Sequence, residues 1–388
     1  MSFRVSHCGD VHLDEDRYFG DTAQCLEWFV YDGIRQRTEL FVIDGDLTTY
    51  KATIKERNLW IDMVIRMADH APVLIVSGNH GKESDGDLYA LAKARGKHSI
   101  YLSTEPELIE VGQVAIATFP YPRKADWVGT QQEKDMQEAF VQRLEEFNRQ
   151  FARRPGSYHL FFGHFGVAGA RVSSGQPLVG RCAEYPVEPL RRLNAHYVGL
   201  SHIHLRQELA PRIWYAGSLS RCDYSEMEDK GYNLVTLKQS DLPPDLTDME
   251  ISFRRSPTRP MMELHVRYED GKFVLPQSLE KEPSRLKDTR VKVVVTIATG
   301  LHESLSREAQ DELREKLLAG NPSELKLKIE HHSESGREIA PVSLAKTAED
   351  KLKAYWETRG APSEDQKERL LAKLGQIEAA VASEHSVR

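Results

Sequence analysis

Short apolar runs recur through the first 240 residues, each broken by Gly, Ser or Asp. They are Phe3–Cys8, LFVID at 40–44, VLIV at 73–76, VAIAT at 114–118, HLFF at 159–162 and YVGL at 197–200. Continuous runs of Val, Ile, Leu and Phe read as strands buried on both faces. Helical stripes lie between them. Leu26, Phe29, Val30 and Ile34 form one, and residues 52–70 form another through Leu59, Met63 and Met67. The clearest spans 131–151, with Met136, Phe140, Leu144, Phe147 and Phe151 at steps of three or four. Alternating strands and helices imply an α/β core. Two later strands are expected at 212–216 and 231–237. Residues 165–190, rich in Gly, Ser, Pro and Arg, read as loop.

The pattern changes at 239–260, where SDLPPDLTD and RRSPTRP carry the punctuation of a linker. Arg254, Arg255 and Arg259 there read as a solvated run, with contact to a nucleic-acid backbone as the alternative. A small unit follows, with strands at 261–268, 291–296 and 324–331 and a helix at 305–318. Its alternation suggests a sheet with one wet face. The tail reads as two helices. The first carries Leu344, Leu352, Tyr355 and Trp356 and is stopped by Gly360 and Pro362. Ser363 and Gln366 form a capping box for the second, striped by Leu370, Leu371, Leu374, Ile377 and Val381. The expected division is 1–240, 250–335 and 341–388.

Candidate chemistry sits where the apolar runs end. Asp10 and His12 close the first; Asp46 follows the second; Asn79 and His80 follow the third. His164 follows HLFFG, and His202 and His204 follow YVGLS. In open α/β sheets, sites form beyond the carboxyl ends of strands, so these residues are expected on one edge. Asp10, His12, Asp46, Asn79, His164, His202 and His204 are too many for one tetrahedral zinc, and none is a thiolate. They suit two divalent ions held by oxygen and imidazole, with Mn2+ or Fe2+ as fitting as Zn2+. An unpaired carboxylate behind an apolar run is costly, and a metal removes the difficulty.

The order D10-V-H12, G45-D46, G78-N79-H80, G163-H164, H202-I203-H204 resembles the calcineurin-like metallophosphoesterases. H7-C-G-D10-V-H12-L13, F119-P-Y-P-R123, Y215-A-G-S218 and K230-G231-Y232 are similar to the SbcD-type DNA-repair nucleases among them. The resemblance implies a sandwich of two mixed sheets flanked by helices, a small α+β capping domain and a C-terminal helical hairpin. It implies one metal on Asp10, His12, Asp46 and His204, and another on Asp46, Asn79, His164 and His202, most simply Mn2+. His80 would be the catalytic residue that helps the leaving oxygen depart, since an imidazole can donate or withdraw a proton. Arg123 would contact substrate phosphate. The partners implied are DNA, a coiled-coil ATPase of the SbcC type docked by the tail, and a second copy of the chain. A small-molecule or cyclic-nucleotide phosphodiesterase and an inactive scaffold are the alternatives. Thr49 stands where some relatives carry His or Asp, which bears on the balance of exonuclease and endonuclease activity.

Bulk properties refine this reading. With 52 Lys and Arg against 59 Asp and Glu, the net charge is −7, so no global basic field advertises nucleic-acid binding. A partner would have to supply that grip. Cys8, Cys25, Cys182 and Cys222 show no metal-binding or disulfide spacing, which points to a reducing cytoplasm. No leader or membrane span is expected, and no P-loop motif is present.

Overall fold

A computed structural model of the chain describes residues 2–80, 95–122, 133–173, 184–238, 249–269, 271–297 and 305–331. In the tail it describes 349–350, 352–353, 356, 366–371 and 373–374. Arg123, Cys182 and most of the expected tail hairpin, including Ile377 and Val381, lie outside the described residues.

The chain divides into two compact units, one formed by 1–263 with 288–291, the other by 264–287 with 292–388. The first unit holds two six-stranded sheets. In sheet one, β1 (Ser2–Gly9), β2 (Leu40–Asp44), β3 (Val73–Val76) and β4 (Ile100–Ser103) run parallel. On the other side of β1, β13 (Gly231–Lys238) and β14 (Met249–Arg255) add antiparallel. In sheet two, β6 (Val114–Phe119), β7 (Tyr158–His164), β10 (Tyr197–Ser201) and β12 (Ile213–Tyr215) are parallel. Antiparallel β5 (Glu107–Val111) and β11 (Gln207–Ala210) form its edges. Both sheets are thus mixed.

The residue period of two along each strand sorts side chains into three apolar layers. Val5, Leu40, Val42, Leu74 and Val76 of sheet one meet Ile116, Leu160, Phe162 and Tyr197 of sheet two between the sheets. On the outer face of sheet one, Phe41, Ile43, Val73 and Ile75 are covered by α1 (Phe19–Arg35) and α2 (Ile54–Ala68), through Phe29, Val30, Trp60 and Met63. A capping box starts α2: Thr53 accepts from the Glu56 N–H while Glu56 accepts from the Thr53 N–H. On the outer face of sheet two lie α3 (Glu133–Ala152) and the short α4 (Val187–Arg191), with Phe140, Leu144, Phe147 and Leu190 against Phe161 and Val198. The result is a helix–sheet–sheet–helix sandwich.

Two stretches depart from expectation. The 239–260 linker contains β14, whose Met249 and Ile251 pack on the layer between the sheets. Its arginines are paired, not merely solvated: Arg254 forks onto Asp32 at 2.8 and 2.9 Å, and Arg259 meets Asp21 at 3.1 Å. The 165–190 loop holds the small parallel pair β8 (Gly166–Val167) and β9 (Glu184–Tyr185) and the start of α4.

The second unit is built on a four-stranded sheet in the order β16 (Lys272–Val274), β15 (Met261–Glu269), β17 (Arg290–Ile297), β18 (Glu324–His331). It also carries α5 (Gln277–Lys281) and α6 (Arg307–Leu318), which presents Leu313 and Leu317 to its interior. Among the described residues, no helix is long and apolar enough to cross a membrane.

Candidate metal centre

The parallel strands β1, β2, β3, β7 and β10 deliver their carboxyl ends to one edge of the sandwich. There the residues of five separate sequence segments meet. Asp10 and His164 are fully buried, Asp46 is 1% exposed, and Asn79 and His80 lie open at the surface. The backbone bends hard to achieve this. Asp10, His12, Asp46 and His202 all have positive φ, at 50, 50, 49 and 91°, a region that side-chain-bearing residues rarely adopt. Two glycines make room. A Cβ on Gly45, itself at φ 79°, would stand 2.0 Å from His164 Nδ1, and one on Gly78 would stand 2.2 Å from Asp46 Oδ1.

Two donor clusters result. In the first, His12 Nε2 and His204 Nε2 are 3.1 Å apart, and Asp10 Oδ1 is 3.9 and 4.0 Å from them. In the second, Asn79 Oδ1 lies 3.0 Å from His164 Nε2 and 2.8 Å from His202 Nδ1, and Asp46 Oδ2 lies 3.2 Å from His164 Nε2. That same Asp46 oxygen is 3.7 Å from His12 Nε2, which places it between the clusters. Ligands about 2.0–2.1 Å from one ion, at angles near 90–109°, stand roughly 3 Å from each other, as the His12–His204, Asn79–His164, Asn79–His202 and Asp46–His164 pairs do, with Asp10 Oδ1 set further back. Asp10 gives a further test of fit. Its Oδ2 accepts from Ser201 Oγ (2.8 Å) and the His202 N–H (3.0 Å), while its buried Oδ1 has no hydrogen-bond partner and faces two imidazoles. A buried carboxylate oxygen in that state is expensive unless a cation meets it. The donor set and its geometry therefore fit two divalent ions.

Hydrogen bonds behind the ligands set their tautomers. The Asp44 carbonyl can only accept, so His164 Nδ1 donates to it at 2.9 Å and Nε2 is the ring nitrogen that faces the site. His204 Nδ1 meets Glu226 Oε1 at 2.6 Å with the same outcome. His202 differs in presenting Nδ1 to the centre. Burial, with His204 next in weight, lowers the His12 pKa to about 4; burial and His164 do the same for His202. Both are thus neutral at pH 7 without a bound ion, so a metal displaces no proton from them. Burial also disfavours the His164 imidazolium, but the Asp46 carboxylate outweighs it and lifts that pKa to about 10. Asp46 is pushed below the carboxylate range: burial opposes ionisation, and His164 and His12 overcome it.

His80 stands apart from the ligand set. Its N–H donates to Asp46 Oδ1 (2.7 Å), and its ring Nδ1 donates to the Thr49 carbonyl (3.2 Å), which leaves Nε2 as the atom able to exchange a proton. The ring is edge-on to His12 at 4.9 Å. Thr49 thus meets His80 through its backbone. Behind the centre, His7 lies buried against Phe162 and Tyr197, with Nε2 3.5 Å from Asp44 Oδ2. Sequence reasoning missed Glu226, Asp44 and Ser201 as supports of the candidate ligands. Asp44 and Ser201 close apolar runs, where they read as strand ends, and Glu226 lies in a polar loop; each meets its partner across 22 to 191 residues of chain. Tyr121, 5.5 Å from the His202 ring, was visible only as part of F-P-Y-P-R.

The sequence profile of the calcineurin-like phosphoesterases matches residues 3–206. No curated protein matches the chain. Among solved structures, GAP50, the anchor in the inner membrane complex of Plasmodium, is 12% identical with a TM-score of 0.39 over 66% of this chain and 90% of its own. Purple acid phosphatase PPD1 from yellow lupin (Lupinus luteus) seeds is 14% identical at 0.38, over 66% and 54%. A dimetal phosphatase from Danio rerio is 12% identical at 0.38, over 60% and 92%. Likeness at this level says nothing of substrate.

Proposed function

Because the chain belongs to the calcineurin-like phosphoesterase family, we propose that it is a Mn2+-dependent DNA nuclease, the nuclease subunit of an SbcCD-like repair complex. Membership alone makes it a metal-dependent phosphoester hydrolase. The observation that carries the finer reading is where the SbcD-like segments fall. The Ser218 N–H of YAGS and the Lys230 Nζ of KGY both donate to the His204 carbonyl, at 3.1 and 3.0 Å, and Tyr121 of FPYPR flanks His202. The segments that set this chain apart within the family thus frame the metal centre.

On this reading Asp10, His12, Asp46 and His204 hold one ion, and Asp46, Asn79, His164 and His202 hold the other. Two ions so bound would supply a nucleophile at neutral pH and offset charge on the phosphoryl oxygens. The protein does the rest. Asp46 Oδ2 spaces the two sites. Positive φ at four ligand positions aims their side chains before substrate arrives. His80, held by Thr49 and kept out of both clusters, presents Nε2 to give a proton to the departing sugar oxygen. Arg123 remains the candidate phosphate contact. The tail is the segment proposed to dock a coiled-coil ATPase, which would compensate for the acidic net charge, and the active form is proposed to be a homodimer.

One observation favours the second reading, a phosphodiesterase for small molecules. A cavity of about 250 Å3 opens beside His12, His80 and His204, just below the usual range for small-ligand pockets. Its lining carries both signs of charge, with Arg17 beside Asp14, Asp223 and Glu226. The full chain loaded with Mn2+ should be assayed on single-stranded, double-stranded and hairpin DNA and on 2′,3′-cyclic nucleotides. Metal-dependent cleavage of DNA supports the nuclease. Hydrolysis of the cyclic nucleotide alone replaces it with the second reading, and inertness toward both leaves a scaffold.

A further inference from the structure

The two donor clusters are backed differently. The far nitrogen of His164 rests on a neutral carbonyl, that of Asp44. The far nitrogen of His204 rests on a carboxylate, Glu226 Oε1, at 2.6 Å. Glu226 is no incidental neighbour. Its side chain is 5% exposed, and its second oxygen accepts from the Cys222 N–H at 2.8 Å and meets Lys230 Nζ at 3.2 Å. Lys230, 1% exposed, also donates to the His204 carbonyl at 3.0 Å and to Glu228 at 2.6 Å. Arg221 secures the loop from outside by donating to the carbonyls of Glu226 and Glu228, both at 2.8 Å. One loop thus grips both the ring and the backbone of a single ligand.

We infer that Glu226 is a positioning residue for His204 that makes the two metal sites unequal, the site of Asp10, His12 and His204 being the tighter for its presence. A carboxylate on the far N–H fixes the tautomer, holds the ring plane and makes the ligating nitrogen a better donor, a stronger effect than a neutral carbonyl has on His164. Lys230 Nζ, 3.2 Å from the second Glu226 oxygen, offsets the charge of the buried carboxylate. Nothing in this requires Glu226 to touch substrate. The inference rests on the di-metal reading of the centre.

The test uses the full chain and Mn2+. Calorimetric titration of the metal-free wild type should resolve two binding events. Glu226→Gln keeps the shape and removes the charge. It should weaken one event by roughly 10–100-fold, the usual scale for such partners, and leave the other in place. Glu228→Gln removes a carboxylate from the same Lys230 without touching His204, and should change neither. In the diamagnetic Zn2+-loaded protein, the His204 Nδ1 proton should give a downfield imidazole resonance that moves upfield in Glu226→Gln and not in Glu228→Gln. If Glu226→Gln weakens both events equally or neither, or if Glu228→Gln acts as it does, the inference fails while the di-metal reading stands. If the wild type takes up fewer than two ions, the di-metal reading itself fails.

Discussion

Replacing His80 by Asn should separate proton transfer from metal binding. The structure limits what the substitution removes. The His80 N–H bond to Asp46 is a backbone bond and survives. What goes is one 3.2 Å bond from an exposed ring to the Thr49 carbonyl, and an edge contact with His12. The stability cost should be under about 1 kcal/mol, at the low end for a single hydrogen bond. Metal content should not change, because His80 offers no atom to either cluster. A general acid is worth about 10²–10⁴ in rate, or about 2.7–5.4 kcal/mol of barrier. That loss should depend on the leaving group. The stable p-nitrophenolate departs without a proton, whereas a deoxyribose alkoxide needs one. Turnover of bis-p-nitrophenyl phosphate should therefore fall little in His80→Asn, and cleavage of a DNA oligonucleotide should fall by the full factor. Steady-state rates on both substrates, with metal content measured on the same preparations, decide the matter. An equal loss on both substrates would refute the acid role, and a fall in metal content would make His80 part of the site's scaffold.

Asp46→Ala should impair both calorimetric Mn2+ events together, because one Asp46 oxygen lies 3.2 Å from His164 and 3.7 Å from His12; loss of a single event would place the bridge elsewhere. Asp32→Asn, outside both donor clusters, should lower stability by about 1–3 kcal/mol, the scale for hydrogen bonds to a charged group, discounted because Arg254 is partly exposed. Burial opposes ionisation of Asp32, but Arg254 and Tyr232 overcome it and hold the pKa below its ordinary 3.8. The stability it contributes is therefore complete above pH 3.8 and lost as pH falls through the lower folded value. Denaturant melts should show the wild-type advantage shrinking only in that acid range, and an advantage that instead shrinks between pH 5 and 8 would contradict the assignment. Deleting the chain after Val342 should leave hydrolysis of bis-p-nitrophenyl phosphate intact while abolishing co-purification with a coiled-coil ATPase; unfolding of the truncated chain, or undiminished binding, would return the tail to this protein's own core.

The parts of the fold most legible in sequence are those buried on both faces. VLIV at 73–76 and YVGL at 197–200 are central parallel strands, and no polar alternation interrupts them. The edges were not legible. IYLS, ELIEV and QELA are half-buried, and their polar residues blur the strand signal. β14 hides for another reason: Met249, Ile251 and Phe253 do alternate, but flanking Pro and Arg speak more loudly than three apolar residues. At the candidate metal centre, every proposed donor lies at the end of an apolar run, which made it legible as a candidate. The residues behind the donors were not. Glu226 sits in a polar loop, and its meaning comes only from folding against His204. Ser201 gains its meaning from an aspartate 191 residues away.

The left-handed backbone at Asp10, His12, Asp46 and His202 sets evolutionary pressures against each other. Such a conformation costs a side-chain-bearing residue roughly 1–2 kcal/mol, less for Asp, and costs glycine nothing. A laboratory selection for heat resistance alone would therefore drift His12 and His202 toward glycine and return a sturdier protein with no chemistry. The same logic governs transplantation. Installing these seven donors on a relaxed scaffold would copy the list of residues without the bends that aim them, so a designer would have to move the strand ends together with their side chains.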